Sequence, residues 1–236
     1  MSSTTKESFQ RINGRPAAPA DIDLFTHIEK HLYTAVLSDS LDEVGLRDRA
    51  MQEHLRPLAP NVVFAGRART ILCMDVHYLP DQPYALEIEA VDSILPGEVV
   101  VVGTGGSKRN APWGELLSTA AVARGARGAV IDGLVRDVKK ILSLGFPLFA
   151  AGIKPVDSKG RGLVVDYNIP VDCGGVTVTP GDLVVADFDG IVSIPSHAVD
   201  EVIRLANDKV AREDSSRAEL MNGKYLRDVY EKFGVL

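Results

Sequence analysis

The sequence predicts an α/β fold: a central parallel sheet, an added antiparallel sheet and a long C-terminal helix. Three observations carry this. Apolar runs at 98–102, 128–132 and 147–153 alternate with helical stretches that stop at Gly125 and Gly145, and strand–helix–strand repetition implies parallel crossovers. From residue 163 onward, short β-rich runs separated by turn signals take over. A helical stretch from Ser196 to Met221 follows them.

The elements follow in order. Residues 1–18 are polar, with Pro16, and lead to Pro19; they read as a loose N-terminal arm. Residues 19–236 show no composition shift, internal repeat or low-complexity tract, so they read as a single domain. Residues 21–45 read as helix, with Leu24, Ile28 and Leu32, then Leu37, Leu41 and Val44, keeping one face apolar up to Gly45. Residues 62–73 read as strand, 75–83 as a loop holding two prolines, and 84–92 as a short helix. Pro96-Gly97 turns the chain into the strand 98–102, and a glycine-rich, basic loop spans Gly103–Pro112. Trp113–Arg124 is a predicted helix with Gly125 as its left-handed stop. Strand 128–132, helix 134–144 and strand 147–153 complete the alternating part. The runs 163–171, 176–179, 183–187 and 191–194 form the predicted antiparallel sheet, with turns at Pro180-Gly181 and Asp189-Gly190. Ser196 is the candidate N-cap of the long helix, and Gly223 separates that helix from a short amphipathic tail.

Bulk properties exclude several function classes. The 236 residues are 45% hydrophobic, enough for a sizeable core. The formal charge of −6 and pI near 5.4 provide no basic stripe for nucleic acid. No apolar run reaches membrane-spanning length, and the opening MSSTTKESFQ lacks the apolar core of a signal peptide. Cys73 and Cys173 are the only cysteines and lie far apart, which points to reduced thiols and a cytoplasmic location.

One charged set stands out. Glu115 is followed by twenty residues and then Arg136-Asp137. Arg-Asp also occurs at 47–48 and 227–228, but Thr26 and Ala206 take the matching upstream positions. The spacing equals one helix-plus-strand unit, so it returns the chain to the same sheet edge. Ligands in parallel α/β sheets bind at the carboxyl ends of strands. Backbone N–H groups of Gly114, Glu115, Leu116 and Leu117 at a helix start favour an anion. Arg136 can pair with a carboxylate or enolate, and Asp137 and Glu115 are hard oxygen donors suited to Mg²⁺ or Mn²⁺. On the residues alone, a solvated surface salt bridge fits equally well.

The segment APWGELLSTAAVARGARGAVIDGLVRD resembles the RraA-like family, which includes the 4-hydroxy-4-methyl-2-oxoglutarate/4-carboxy-4-hydroxy-2-oxoadipate aldolases. The family signature, an acid, twenty residues and Arg-Asp, falls on Glu115, Arg136 and Asp137. GDLVVADFDGIVSIP at 181–195 and the C-terminal segment from Lys209 are also similar to it. The resemblance implies a β/β/α swivelling-type fold assembled as homotrimers or hexamers. It also implies a divalent-metal-dependent class II aldolase that cleaves a 4-hydroxy-2-oxo acid to pyruvate, with oxaloacetate decarboxylation through the same enolate. Carried over by position, Asp137 is the direct metal ligand, and Glu115 acts through water. Glu213, from a neighbouring subunit, also acts through water. Arg136 holds the pyruvyl oxygen, and residues 114–117 bind the carboxylate. The family also contains regulators of ribonuclease activity that keep the signature. The alternative expectation is therefore a non-catalytic module that restrains an RNA-processing enzyme by protein contact.

Other features have simpler readings. Asp75–Pro83 departs from the family pattern. Lys108-Arg109 fits either a second substrate carboxylate or a solvated pair. His27 and His31, four residues apart, match no zinc motif, and the loop from Gly103 to Lys108 is neither a phosphate loop nor a dinucleotide fingerprint. Trp113 reads as a packing residue, and Asp187 and Asp189 read as turn residues as readily as metal ligands.

Overall fold

The structure, a computed structural model, describes residues 17–235. Most of the predicted arm, residues 1–16, lies outside them. The Ala17 N–H donates to the Pro96 carbonyl at 3.0 Å. The predicted helix 21–45 is two helices, α1 (Pro19–His31) and α2 (Thr34–Glu43). Leu32 and Tyr33 are extended between them. The break has a tertiary cause, because the Asp187 carboxylate accepts from the Thr34 N–H at 2.7 Å and from its hydroxyl at 2.6 Å. A remote residue thereby caps the start of α2, and Asp187 is a capping residue.

The central sheet has β2 (Phe64–Asp75), β3 (Glu98–Gly103), β4 (Gly128–Val135) and β5 (Leu148–Ile153) in parallel. Two-residue β1 (Arg56–Pro57), which sequence reasoning missed, pairs antiparallel with β5. Helices α3 (Ala85–Asp92), α4 (Glu115–Ala123) and α5 (Val138–Leu144) connect the parallel strands. The antiparallel part is split. β6 (Gly162–Tyr167) and β9 (Leu183–Ala186) both join the free edge of β2, and β10 (Ile191–Ile194) pairs with β9. Only β7 (Val171–Cys173) and β8 (Val176–Val178) form the separate smaller sheet. The predicted run 163–171 divides at Asn168, whose left-handed φ of 54° turns the chain and whose N–H donates to the Thr70 carbonyl at 2.9 Å.

Three boundaries move at the site. The strand predicted over 128–132 continues to Val135, and the helix predicted from Leu134 begins at Val138. Tertiary pairing holds these residues extended: Arg136 N–H donates to the Trp113 carbonyl and Lys154 N–H to the Val135 carbonyl, both at 3.0 Å. The predicted start of α4 shifts from Trp113 to Glu115 for the same reason, since Trp113 bridges Val135. At the long helix, Ser196 is not the N-cap. It opens a short 3₁₀ turn, and its N–H donates to Asp182 at 3.1 Å. Helix α6 (Val199–Met221) follows, then α7 (Leu226–Phe233) beyond Gly223.

Alternation along β3 explains the layers. Val100 and Val102 pack with Ile131, Ala121 and Ile141 on the side of α3, α4 and α5. Val99 and Val101 face Phe149, Val171 and Val178 on the hairpin side. Each buried valine contributes roughly 1.5–3 kcal/mol relative to exposure. A third apolar cluster joins α1, α2 and α6 to β9 and β10. Among the described residues no helix is long and apolar enough to cross a membrane.

Candidate functional site

The chain brings Gly114, Glu115, Leu116, Leu117, Arg136 and Asp137 to one cavity of about 340 Å³. Trp113 sets the geometry. It is buried, its indole N–H donates to Ser118 Oγ at 2.9 Å, and its backbone bridges Val135. This ties the start of α4 to the carboxyl end of β4. Gly114 leaves the Asp137 and Arg136 side chains in place at the junction, because an added Cβ would lie 2.9 Å from Asp137 Oδ2 and 3.2 Å from Arg136 Cγ. The N–H groups of the first turn of α4 have no intrahelical acceptors and remain available to an anion.

Asp137 occupies the N-cap position of α5 in the left-handed region, φ 59°. A non-glycine residue there costs about 1–3 kcal/mol and turns the Asp137 side chain, 45% exposed, into the cavity beside Arg136. Arg136 Nε lies 3.9 Å from Asp137 Oδ2, and Nη2 lies 3.2 Å from Asp157 Oδ1. Glu115 accepts from Thr119 Oγ1 at 3.1 Å and lies 3.9 Å from Lys140 Nζ at the rim.

Three ionisable lining residues were not legible in the sequence: Tyr84, Glu87 and Asp157. Asp157 follows β5 and reaches the cavity because its backbone bridges Ala111. The Tyr84 hydroxyl donates to Asp157 Oδ2 at 2.6 Å. Burial alone would raise the Asp157 carboxyl. The Tyr84 hydrogen bond, the Arg136 charge and the N–H groups of Ser158 and Lys159 outweigh it and hold the carboxyl below its ordinary range. Tyr84 is pushed up to about 12 by burial and by that same bond to Asp157. Glu87 is raised to about 7, chiefly by burial, with Asp157 adding and Arg136 opposing. The only sequence signal was Tyr84 and Glu87 three apart at the start of a short helix, which is too common to act on.

The other candidates lie elsewhere. Arg109 donates to the Val76 carbonyl at 3.1 Å, pinning the loop after β2, and neither it nor Lys108 lines the cavity. Glu213 lies on α6 in a different cavity of about 410 Å³, where the Tyr33 hydroxyl donates to it. His27 bonds Asn207 at 2.7 Å.

The RraA-like family model, described as Aldolase/RraA, matches residues 34–193. A Halalkalibacterium halodurans protein named "Putative 4-hydroxy-4-methyl-2-oxoglutarate aldolase" is 32% identical over 90% of this chain and 96% of its own. The crystal structure of Streptomyces coelicolor RraAS2, named as an unusual member of the RNase ES inhibitor RraA family, is 31% identical, with TM-score 0.77. That match covers 87% of this chain and all of the other. The RNA-processing inhibitor RraA from Thermus thermophilis is 28% identical, with TM-score 0.54, over 67% of this chain and 92% of its own. The signature residues, the fold and these matches agree, and the chain belongs to the RraA-like family.

Proposed function

We propose that the cavity is a 2-oxo acid site and that the chain acts there as a divalent-metal-dependent carbon–carbon lyase. It would cleave a 4-hydroxy-2-oxo acid to pyruvate and a second carbonyl compound, and decarboxylate oxaloacetate. One observation carries this reading: the α4 N-terminus, Arg136 and Asp137 converge on one cavity. Among the described residues no three His, Cys, Asp or Glu side chains group as metal ligands. The donors in one chain are therefore few, with Asp137 foremost and Glu115 lining the same cavity. Such a set fits Mg²⁺ or Mn²⁺, which bind through one or two carboxylates and keep several waters. When bound, the cation supplies Lewis-acid stabilisation of charge on the 2-oxo oxygen.

The chain's own residues do the rest. First-turn N–H groups of α4 bind the substrate carboxylate. Arg136 donates to the 2-oxo oxygen as it gains enolate character. Glu115 accepts the proton of the C4 hydroxyl while the C3–C4 bond breaks. The bonding pair passes to C3 and the 2-oxo oxygen, and return of the proton from Glu115 to C3 gives pyruvate. With oxaloacetate the same bond breaks, and the departing carbon leaves as carbon dioxide. The test is pyruvate release, coupled to lactate dehydrogenase, from a panel of 4-hydroxy-2-oxo acids and oxaloacetate. Activity is expected to vanish with a chelator and return with Mg²⁺ or Mn²⁺; full activity after exhaustive chelation would sink the metal-dependent reading.

A second reading is a protein-interaction regulator of an RNA-processing enzyme, and the comparisons favour it over catalysis. Two solved relatives carry inhibitor names, one matched along its whole length. The formal charge of −6 suits docking on a basic partner. Inhibition of a purified RNA-processing ribonuclease that survives Asp137→Ala, with no pyruvate from any substrate, would establish this reading over the first.

A further inference from the structure

Three remote stretches of chain meet in the cavity: Tyr84 at the start of α3, Arg136 after β4 and Asp157 after β5. Asp157 is the fixed member of the three. Its backbone bridges Ala111, whose N–H donates to the Val156 carbonyl at 2.8 Å. Its carboxylate accepts from the Tyr84 hydroxyl at 2.6 Å, on Oδ2, and from the N–H groups of Ser158 and Lys159. The other oxygen, Oδ1, lies 3.2 Å from Arg136 Nη2. Stability does not account for this arrangement. The Arg136 and Asp157 side chains are 40% and 30% exposed, and ion pairs so open to solvent contribute little. What the pair does is limit Arg136. A free arginine samples many rotamers and gives them up on meeting a ligand. One already fixed meets developing charge without that loss. With Nη2 beside Asp157 and Nε 3.9 Å from Asp137 Oδ2, the plane of the fork is set within the cavity.

We propose that Asp157, braced by Tyr84, is the positioning residue of this site: it fixes the Arg136 guanidinium in the orientation that receives an enolate oxygen. This deepens the 2-oxo acid reading and rests on it. Asp157 acts through Arg136 and touches no reacting atom. Its loss therefore weakens the hold on the enolate more than the hold on the ground-state 2-oxo acid.

The test compares oxalate, a planar mimic of the pyruvate enolate, with pyruvate itself. Binding of each to the Mg²⁺-loaded chain is measured by calorimetry, with turnover of oxaloacetate alongside. Asp157→Asn is expected to weaken oxalate on the order of tenfold and pyruvate by no more than about twofold. It should lower kcat on oxaloacetate and leave KM little changed. Removing a negative charge would by itself favour the doubly charged oxalate, so weaker binding isolates the loss of orientation. Tyr84→Phe should act in the same direction to a smaller degree, and it decides by the same criteria should Asp157→Asn fail to fold. In an Arg136→Ala background neither substitution should weaken oxalate further, because nothing is left to position. Circular dichroism confirms that each variant is folded. Unchanged or tighter oxalate binding by Asp157→Asn, or an equal loss in the Arg136→Ala background, overturns this inference and leaves the 2-oxo acid site standing. Binding of neither ligand by the unaltered chain removes the site reading and this inference with it.

Discussion

Arg136 joins the charges of the cavity through its planar fork. One edge of the guanidinium meets Asp157 and another approaches Asp137, a geometry a single ammonium cannot reproduce. Arg136→Lys is expected to lower turnover on oxaloacetate about a hundredfold, the scale of losing one donor at a developing oxyanion. Near-normal turnover would remove Arg136 from the developing charge. Glu87 gives a pH prediction. Its carboxyl is raised from 4.5 to about 7, first by burial and then by Asp157. The folded chain therefore keeps a proton that the unfolded chain has released. The stability this contributes is fully present below the unfolded value and is lost as pH rises through the folded one. Glu87→Gln should flatten stability between about pH 5 and pH 8 and exceed wild type at the upper end, by up to about 3 kcal/mol. Urea denaturation at both pH values checks this; a variant with the wild-type slope assigns that slope to other groups.

At the scale of elements, the site depends on how closely α4 approaches the end of β4. A Cβ at Gly114 would press on the Asp137 and Arg136 side chains together, so any other residue there makes both move aside. Gly114→Ala is expected to displace both side chains and lower pyruvate release at least about tenfold, because small misplacements are costly in catalysis. The Arg136 side chain is 40% exposed and can shift, so stability should fall by no more than about 1 kcal/mol. A large fall in melting temperature with the activity loss would make Gly114 a folding residue instead. The left-handed Asp137 follows the same logic: Val135 and Arg136 stay paired to neighbouring backbone, so the chain turns abruptly at residue 137 before α5 begins.

For the whole molecule, the open matter is Glu213. Within one chain it lines a cavity formed with Tyr33, Arg217 and Leu226 rather than the one holding Asp137. Burial and the hydrogen bond to Glu213 push Tyr33 up to about 12, so the pair stays joined across neutral pH. If Glu213 completes a neighbouring subunit's site, Glu213→Ala and Asp137→Ala are each poorly active alone. Co-refolded together they should regain part of the activity, because some intact Asp137 sites then lie beside subunits that keep Glu213. Mixed oligomers verified by mass spectrometry but without regained activity would confine Glu213 to its bond with Tyr33.

The sequence by itself determined the parallel core, the long C-terminal helix and the meeting of Glu115 with Arg136-Asp137. Each follows from local periodicity or from the length of one helix-plus-strand unit, and both are properties of a single stretch of chain. Residues 114–117 could be placed beside Arg136 for that reason. Tertiary structure alone decided what depends on pairing between remote stretches. Asp187 splits the first helix by capping Thr34, and Trp113 draws Val135 and Arg136 into extended pairing where helix was expected. The free edge of β2 recruits β6 and β9 into the central sheet. Tyr84, Glu87 and Asp157 enter the cavity by the same route. Their positions depend on how β5, β6 and α3 pack, and their altered ionisation arises from burial and mutual charge. Neither exists until the chain has folded.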